Sequence, residues 1–220
     1  QLQGDRRAED GLHPRGFYDR NPTWMNGLGA GGHDFGTGGA YNHPSTLVVG
    51  RVLNRGLEGQ NIVVVTEAWG SLTLDQNEIE YHRRRLSQKH EIPRTRWGFD
   101  PMQKEAAQMS DAQTTGGAGS RNAKVGMIEA RLNRGTLLFD MDPHDELDKI
   151  EVARARSVEL VYQQMQRSHW IKRQVAGRGE IYDYARDDDD YVAGLEDLVA
   201  VIDGHQTFEF RPGKLAGLSV

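Results

Sequence analysis

Two short apolar runs early in the chain carry the clearest pattern of hydrophobic positions. The segments TLVVGRVL (46–53) and NIVVVTEAW (61–69) are rich in β-branched residues, and NRGLEGQ separates them. Runs of this kind around a glycine-containing connection are typical of antiparallel strands, so they predict a β-hairpin. Two strands alone are marginally stable in water. The hairpin therefore needs a further strand, a helix or a partner to pack against.

A helix is predicted directly after this hairpin. Asp75 and Glu78 have the spacing of a capping box, and Pro93 closes the segment. A cap followed by a stretch without Gly or Pro is typical of a helix, here over residues 76–89. Its apolar face is thin, because few of its residues are hydrophobic.

The next segments alternate between loop and regular structure. Residues 110–122 are rich in Gly, Thr and Ser and predict a flexible loop. The segment VGMIEARLNRGTLLF (125–139) predicts a short helix and a strand, with Gly135 between them. Near the carboxyl terminus, residues 191–204 predict a short amphipathic helix that ends at a glycine. Residues 205–220 predict an edge strand and a tail.

The longest predicted element is a helix in the second half of the chain. Asp142 followed by Pro143 has the pattern of an N-cap with proline at the first helical position, and no Gly or Pro follows until Gly177. A helix from 143 to about 174 would be about 45 to 50 Å long. Its apolar residues occupy more than one face, so we expect neighbours on several sides: Leu147, Ile150, Val158, Leu160, Val161, Met165, Trp170 and Ile171.

The amino-terminal segment, residues 1–45, has neither the helical nor the strand period. It is rich in Gly, Pro, Asn, Asp and His, and it contains isolated large apolar residues: Phe17, Tyr18, Trp24, Met25, Phe35 and Tyr41. We interpret it as an extended arm that docks on another surface or on the protein's own body. The predicted fold class is α+β, with a small β-hairpin or sheet, a long helix, shorter helices and this Gly-rich arm. Residues 46–220 would form a single small α+β domain.

One motif within the arm suggests a cofactor. The six residues from Gly27 to Gly32 match the dinucleotide-binding pattern GxGxxG. The pattern functions only between a strand and the amino terminus of a helix, which binds the pyrophosphate. The flanking segments NPTWMN and HDFGTGGAYNHP are typical of turns. No cofactor is therefore predicted.

The segment DMDPHDELD (140–148) is the densest cluster of candidate metal ligands. A metal-dependent enzyme would use Asp140, Asp142, His144 and Asp145. The calcium-loop pattern and HExxH are absent, and carboxylates in a first turn are stabilised by the helix dipole without any metal. We favour a helix start here and predict no metal ligand.

Two segments carry opposite charge. The segment HRRRLSQKHEIPRTR (82–96) is basic and could bind RNA phosphates or anionic lipid, with Trp97 and Phe99 as stacking or inserting residues. The favoured interpretation is a solvated helix face that pairs with an acidic neighbour, because the chain has a net charge of -5 and a pI near 5.9. The run Asp187–Asp190 is interpreted as an exposed loop that meets a basic surface.

Composition excludes several classes of protein. The absence of cysteine excludes disulfides, thiolate catalysis and Cys-ligated metal centres. No apolar run approaches the ~18 residues that span a bilayer. The mean hydropathy of -0.68 fits a chain that is exposed over much of its length or covered by partners. The start at Gln1 would follow from removal of a targeting segment or from a late start of the sequence.

No catalytic motif supports an enzyme, since GxSxG and the P-loop pattern are absent. We therefore expect a non-catalytic accessory or structural subunit of a large assembly, on the matrix side of a mitochondrial respiratory or ATP synthase complex. The alternatives are a virion capsid or neck component and the acid-cluster enzyme. Other subunits are the expected partners, membrane-surface contact is left open, and nucleic acid is not expected. The predicted partner contacts are Trp24, Phe35, Arg83, Arg84, Arg85, Trp97, Phe99 and Trp170.

Overall fold

The computed structural model describes most of the chain between residues 28 and 209. The described ranges are 28–36, 43–54, 61–72, 75–99, 113–114, 120–175, 179–185 and 190–209.

The described residues contain one mixed sheet of six strands in the order β5-β4-β1-β2-β3-β6. The strands are β1 Leu28–Asp34, β2 Ser45–Asn54, β3 Asn61–Ser71, β4 Trp97–Phe99, β5 Gln113–Thr114 and β6 Leu137–Phe139. The first three form an antiparallel meander, β4 runs parallel to β1, β5 parallel to β4, and β6 parallel to β3. All strands except β2 therefore end on the same side, which we call the carboxyl end of the sheet.

The predicted hairpin is confirmed, since β2 and β3 pair antiparallel with one bulge between Val49 and Gly50. Its need for covering neighbours is met within the chain. Strand β1 adds to one side and β6 to the other, and helices cover both faces.

Strand β1 corrects part of the predicted arm. Its sequence, LGAGGHD, has low strand propensity because of its glycines, yet it pairs with β2 along all seven residues. The glycines allow close approach: a Cβ on Gly31 would collide with the Trp97 ring, and one on Gly32 with the Gly194 carbonyl oxygen. The GxGxxG segment thus forms a strand and not a turn before a helix. Of the rest of the arm, residues 1–27 and 37–42 lie outside the described residues, and for them the extended arm stays a prediction.

Four helices are described, and two predictions about them are confirmed. Their bounds are α1 Gln76–His90, α2 Ser120–Asn133, α3 Lys149–Arg167 and α4 Asp190–Glu209. Helix α1 begins at the predicted cap, where the Asp75 carboxylate accepts from the Asn77 N–H at 2.9 Å. Helix α2 and β6 are joined through Gly135 in the left-handed region at φ 63°, as their pattern predicted. The predicted loop at 110–122 contains β5 and the first turn of α2.

The predicted long helix is wrong at both ends. Helix α3 has 19 residues and starts at Lys149, with Asp148 as its N-cap. The helix begins six residues later than predicted because Asp148 caps it in place of Asp142, its carboxylate accepting from the Ile150 N–H at 2.8 Å. The carbonyl oxygens of Asp140 and Asp142 instead accept from the Arg154 guanidinium at 3.0 and 2.7 Å. After Arg167 the chain becomes β7 (His169–Val175), which pairs antiparallel with β8 (Gly179–Ala185) as a separate two-stranded sheet.

Helix α4 is longer than predicted. It continues through Gly204 to Glu209, so the edge strand predicted there is wrong for residues 205–209. Residues 210–220 lie outside the described residues.

The helices lie on both faces of the main sheet. Helices α2, α3 and α4 cover the face that carries Ala30, Val48 and Val65, and together they enclose the largest core cluster. Helix α1 covers the other face through Leu86, which packs with Leu47, Val49, Trp97 and others. The fold is α+β, as predicted. No helix in the described ranges combines the length and the apolar character that a membrane span requires.

Candidate functional site

Asp34 is the last residue of β1, at the carboxyl end of the sheet. Strand β1 has an antiparallel neighbour on one side, where Asp34 pairs with Thr46, and the parallel strand β4 on the other. Because side chains alternate along a strand, half-buried Asp34 lies on the same face as Ala30 and Gly32. That face is the one covered by α4.

The first turns of α4 lie against β1 and β2 beside Asp34. A Cβ on Gly32 would overlap the Gly194 carbonyl oxygen, and a Cβ on Gly194 would lie 2.9 Å from Val48 Cγ2 and 3.4 Å from Thr46 Oγ1. Only glycines at both positions allow this approach. Asp190, the first residue of α4, therefore belongs to the same end of the sheet as Asp34.

The last residue of strand β4 also lies at this end of the sheet. This residue, Phe99, pairs with His33, the neighbour of Asp34 in β1. The next residue in the sequence is Asp100, which lies outside the described residues. We call Asp34, Asp100 and Asp190 the carboxylate site. The run Asp187–Asp190 was predicted to be an exposed loop, and of that run only Asp190 lies within the described residues.

The opposite face of β1 forms an apolar wall behind Asp34. The His33 ring stacks on Phe35, with centroids 3.7 Å apart, and lies 4.9 Å from the Phe99 ring. Both ring nitrogens are buried and have no hydrogen-bond partner. Burial, together with the nearby charge of Arg83, holds the pKa of His33 well below its ordinary value. The ring is therefore neutral near neutral pH and packs as an aromatic side chain.

The basic segment of α1 is largely paired with carboxylates. Glu80 accepts from Arg83 at 2.8 and 2.9 Å and from Arg84 at 2.8 Å, and an Arg85 nitrogen lies 3.7 Å from Glu67. This agrees with the favoured interpretation of a helix face that pairs with acidic neighbours. The Arg83 guanidinium also lies 5.8 Å from the centroid of the Trp97 ring.

The predicted partner contacts lie in different environments. Trp97, Phe99 and Arg83 are buried within the chain's own core, so these side chains pack internally. Phe35 packs against the same cluster, while Arg84 and Arg85 remain exposed on α1. For the two exposed arginines, contact with a partner stays a prediction. The same holds for Trp170, a residue of β7, and for Trp24, which lies outside the described residues.

The acidic cluster at 140–148 borders a cleft of about 540 Å³ between α1 and α3. Asp140 Oδ2 lies 2.9 Å from His144 Nε2 and 3.2 Å from Arg154 Nη1. The buried Arg154 guanidinium therefore already compensates the charge of the Asp140 carboxylate. The hydrogen bond from His144 to Asp140 raises the pKa of that imidazole, against the effect of burial. Asp145 caps the Leu147 N–H at 2.9 Å. Across the described ranges, no three acidic or histidine side chains are gathered to hold a metal.

Comparisons with known proteins identify a fold. No family model and no curated protein matches the sequence. The chain is similar to the large terminase of a thermophilic bacteriophage in two crystal structures, one in complex with ATP-γ-S. Each has a TM-score of 0.50 at 12% identity, over 78% of this chain and 39% of that chain. The chain thus spans less than half of that terminase. The large terminase nuclease of the thermophilic phage G20c, with bound magnesium, gives a TM-score of 0.49 at 10% identity, over 80% of this chain and 82% of that chain.

These likenesses correct the predicted function. The expectation of a non-catalytic accessory subunit in mitochondria is wrong, because the fold is similar to that of a bacteriophage large terminase. The predicted mitochondrial location is wrong for the same reason. The alternative prediction, a virion protein, is consistent with the bacteriophage origin of the similar structures, although it assigned a structural role.

The carboxylate site was not predicted from the sequence because each member lay in a segment given another role. Asp34 was in the predicted arm, Asp100 followed a short run that was considered for stacking, and Asp190 ended a charge run. One pattern could have found them. Each acidic residue directly follows a short strand or starts an apolar helix, and strand ends in mixed sheets converge.

Proposed function

We propose that this chain hydrolyses phosphodiester bonds in nucleic acid with divalent metal ions held by the carboxylate site. The observation that carries the proposal is the position of Asp34 at the carboxyl end of β1, between one antiparallel and one parallel neighbour. Ligands of open sheets bind outside the carboxyl ends of the strands, where the strand order changes direction. The fold shared with a bacteriophage large terminase supports a nucleic-acid enzyme of that kind.

The chemistry of the residues fits a hard divalent cation. Carboxylate oxygens are the ligands that Mg²⁺ and Mn²⁺ prefer, and the set needs neither sulfur nor paired imidazoles. Adjacent strands lie about 4.8 Å apart, so the ends of β1 and β4 are neighbours in the sheet. Asp100 is included from its place in the sequence alone, and Asp190 from its backbone position alone.

Strand β1 and helix α4 would contribute to the reaction in different ways. Bound divalent ions would stabilise charge on the phosphoryl oxygens and lower the pKa of a bound water. Strand β1 fixes the position of Asp34 through pairing on both sides. The N–H groups and the dipole in the first turn of α4 favour negative charge next to Asp34, whether carboxylate or phosphate. The contact between Gly32 and Gly194 keeps that turn against the sheet.

ATP hydrolysis is not proposed for this chain, although one of the similar terminase structures holds ATP-γ-S. The printed sequence lacks the GxxxxGK[ST] pattern, whose backbone N–H groups bind the phosphates of a nucleotide.

The test is cleavage of plasmid and linear duplex DNA by the purified chain in the presence of Mg²⁺ or Mn²⁺. We expect Asp34→Asn to lower the rate by about 10²-fold or more, because a carboxylate that holds the metal near the reacting phosphate is lost. Asp100→Asn and Asp190→Asn should have effects of the same order. Chelation of the metal should abolish cleavage in the parent protein.

The matched control is Asp145→Asn. This exposed residue belongs to the acidic cluster at 140–148, and asparagine keeps an oxygen that can accept from the Leu147 N–H. The control should cleave at the parent rate. Cleavage by Asp34→Asn within about threefold of the parent, or equal losses in both variants, would refute the assignment. Far-UV circular dichroism checks that each variant is folded.

A further inference from the structure

The outward face of α3 differs in charge from the rest of the chain. Its exposed residues recur every three or four positions on the side opposite the buried Arg154, Ala155 and Val158. We call these residues the outer stripe: Lys149, Ala153, Arg156, Leu160, Gln163 and Arg167. The stripe contains three cations and no carboxylate. Along the helix, half-buried Glu159 borders it, and exposed Asp145, Glu146 and Asp148 lie before its first residue.

Two of the three cations in the outer stripe, Lys149 and Arg156, are not used to hold the fold together. Other arginines serve that role: Arg83 and Arg84 pair with Glu80, Arg131 with Asp203, and Arg154 with Asp140 and Glu151. In the described part of the chain, neither Lys149 nor Arg156 makes an ion pair. A protein with a net charge of -5 thus leaves one helix face locally positive. Such a surface attracts an anionic partner.

The stripe is long enough to meet a duplex at more than one point. From Lys149 to Arg167 the helix rises about 27 Å at 1.5 Å per residue. A duplex rises about 3.4 Å per base pair, so the stripe spans about eight base pairs. Over that length its long side chains can contact phosphates on either side of a groove without recognising bases.

The stripe leads to the carboxylate site. Near the end of α3, Gln164 Oε1 accepts from the Tyr191 N–H in the first turn of α4, at 3.0 Å. A Cβ on Gly70 would lie 2.5 Å from the Tyr191 hydroxyl, so this turn also touches β3 next to Thr46 and Asp34. The end of the stripe at Arg167 is therefore close to the proposed catalytic carboxylates.

We propose that the outer stripe of α3 binds the phosphate backbone of a nucleic-acid duplex and guides one strand to the carboxylate site. The role of the stripe in guiding a strand to the carboxylate site rests on the proposed function. Binding of the duplex by the stripe can be measured without cleavage. Recognition is through charge, so it is independent of base sequence and sensitive to salt.

The test measures affinity by fluorescence anisotropy in the Asp34→Asn background, where binding is separated from cleavage. The probe is a labelled DNA duplex of about 20 base pairs, longer than the ~27 Å stripe. We expect Arg156→Glu to weaken binding about tenfold and to reduce the slope of log affinity against log salt by about 1. Arg156→Gln should shift both quantities in the same direction by a smaller amount. An RNA duplex of the same sequence shows which nucleic acid is bound more tightly.

The matched control is Arg134→Glu, which makes the same charge change at an exposed arginine. Arg134 follows α2 and precedes β6, so it lies at the amino end of the sheet, away from the carboxylate site. Binding by this variant should equal that of the background protein. Equal losses for both reversals would indicate a net-charge effect and overturn the proposal, as would an unchanged affinity for Arg156→Glu.

Failure of this inference and failure of the proposed function give different results. If Asp34→Asn still cleaves DNA while Arg156→Glu weakens binding, the carboxylate site is wrong and the outer stripe stands. If Asp34→Asn abolishes cleavage while Arg156→Glu binds normally, the stripe is wrong and the carboxylate site stands.

Discussion

The ion cluster around Glu67 joins β3 to α1 and makes stability depend on pH. Glu67 is 6% exposed, and its Oε2 lies 2.8 Å from His90 Nε2 and 2.7 Å from Lys89 Nζ. Burial alone would raise the pKa of this carboxyl. The hydrogen bonds from His90 and Lys89, together with their charges, outweigh burial and lower the pKa from 4.5 to about 2.

The size and sign of the effect follow from this pKa. A fall from 4.5 to about 2 corresponds to about 3 kcal/mol of stabilisation at about 1.36 kcal/mol per pH unit. The folded carboxyl has the lower pKa, so the unfolded chain binds the proton first as the pH falls. The stabilisation is therefore complete above the unfolded pKa of 4.5 and is lost as the pH falls toward about 2.

The assay is urea unfolding of the parent and of Glu67→Gln at several pH values, with unfolding monitored by tryptophan fluorescence. At about pH 7 the variant should be less stable by up to about 3 kcal/mol. The difference should shrink steadily below about pH 4.5, because the parent carboxyl then becomes neutral as well. The difference between the two proteins cancels the titration of groups that do not interact with Glu67.

The control for this assay is Glu78→Gln, an exposed residue in the first turn of α1. It should stay within about 0.5 kcal/mol of the parent. A difference between parent and Glu67→Gln that is the same at about pH 7 and about pH 3 would show that packing, and not ion pairing, accounts for the role of Glu67.

Two further substitutions test the packing that positions the site. Gly32→Ala should destabilise the fold by about 3 kcal/mol or more, because its Cβ would overlap backbone atoms of Gly194 and Leu198; chemical denaturation measures the loss. Arg154→Met should cost about 3 to 5 kcal/mol, because buried Asp140 and several carbonyl oxygens lose their donor. In the same measurement Arg156→Met, on the exposed face of α3, should be nearly neutral.

Elements with a strong local pattern were predictable from the sequence. The hairpin β2–β3 has dense β-branched residues, and α1 has a side-chain cap that functions as its spacing suggests. In both cases the forces that fix the element act between residues close in the chain. The α+β class followed from these elements.

Elements fixed by distant contacts were not predictable in the same way. No local break separates α3 from β7, because the segment after Arg167 lacks Gly and Pro. The strand forms there because HWIKRQV pairs with GEIYDYA. Likewise, the segment that was predicted to cap α3 is held by Arg154, which binds the carbonyl oxygens of Asp140 and Asp142 twelve and more residues away in the chain.

The glycines of β1 explain why this strand and the carboxylate site were missed together. The segment LGAGGHD has low strand propensity, so other molecules were expected to cover the hairpin. A side chain at Gly32 would keep α4 away from the sheet, so the residue that weakens the strand pattern is the one that lets the helix cover it. Asp34 ends that strand and Asp190 begins that helix. Their placement at the same end of the sheet is therefore a consequence of a backbone contact, which leaves no spacing motif between the two acidic residues in the sequence.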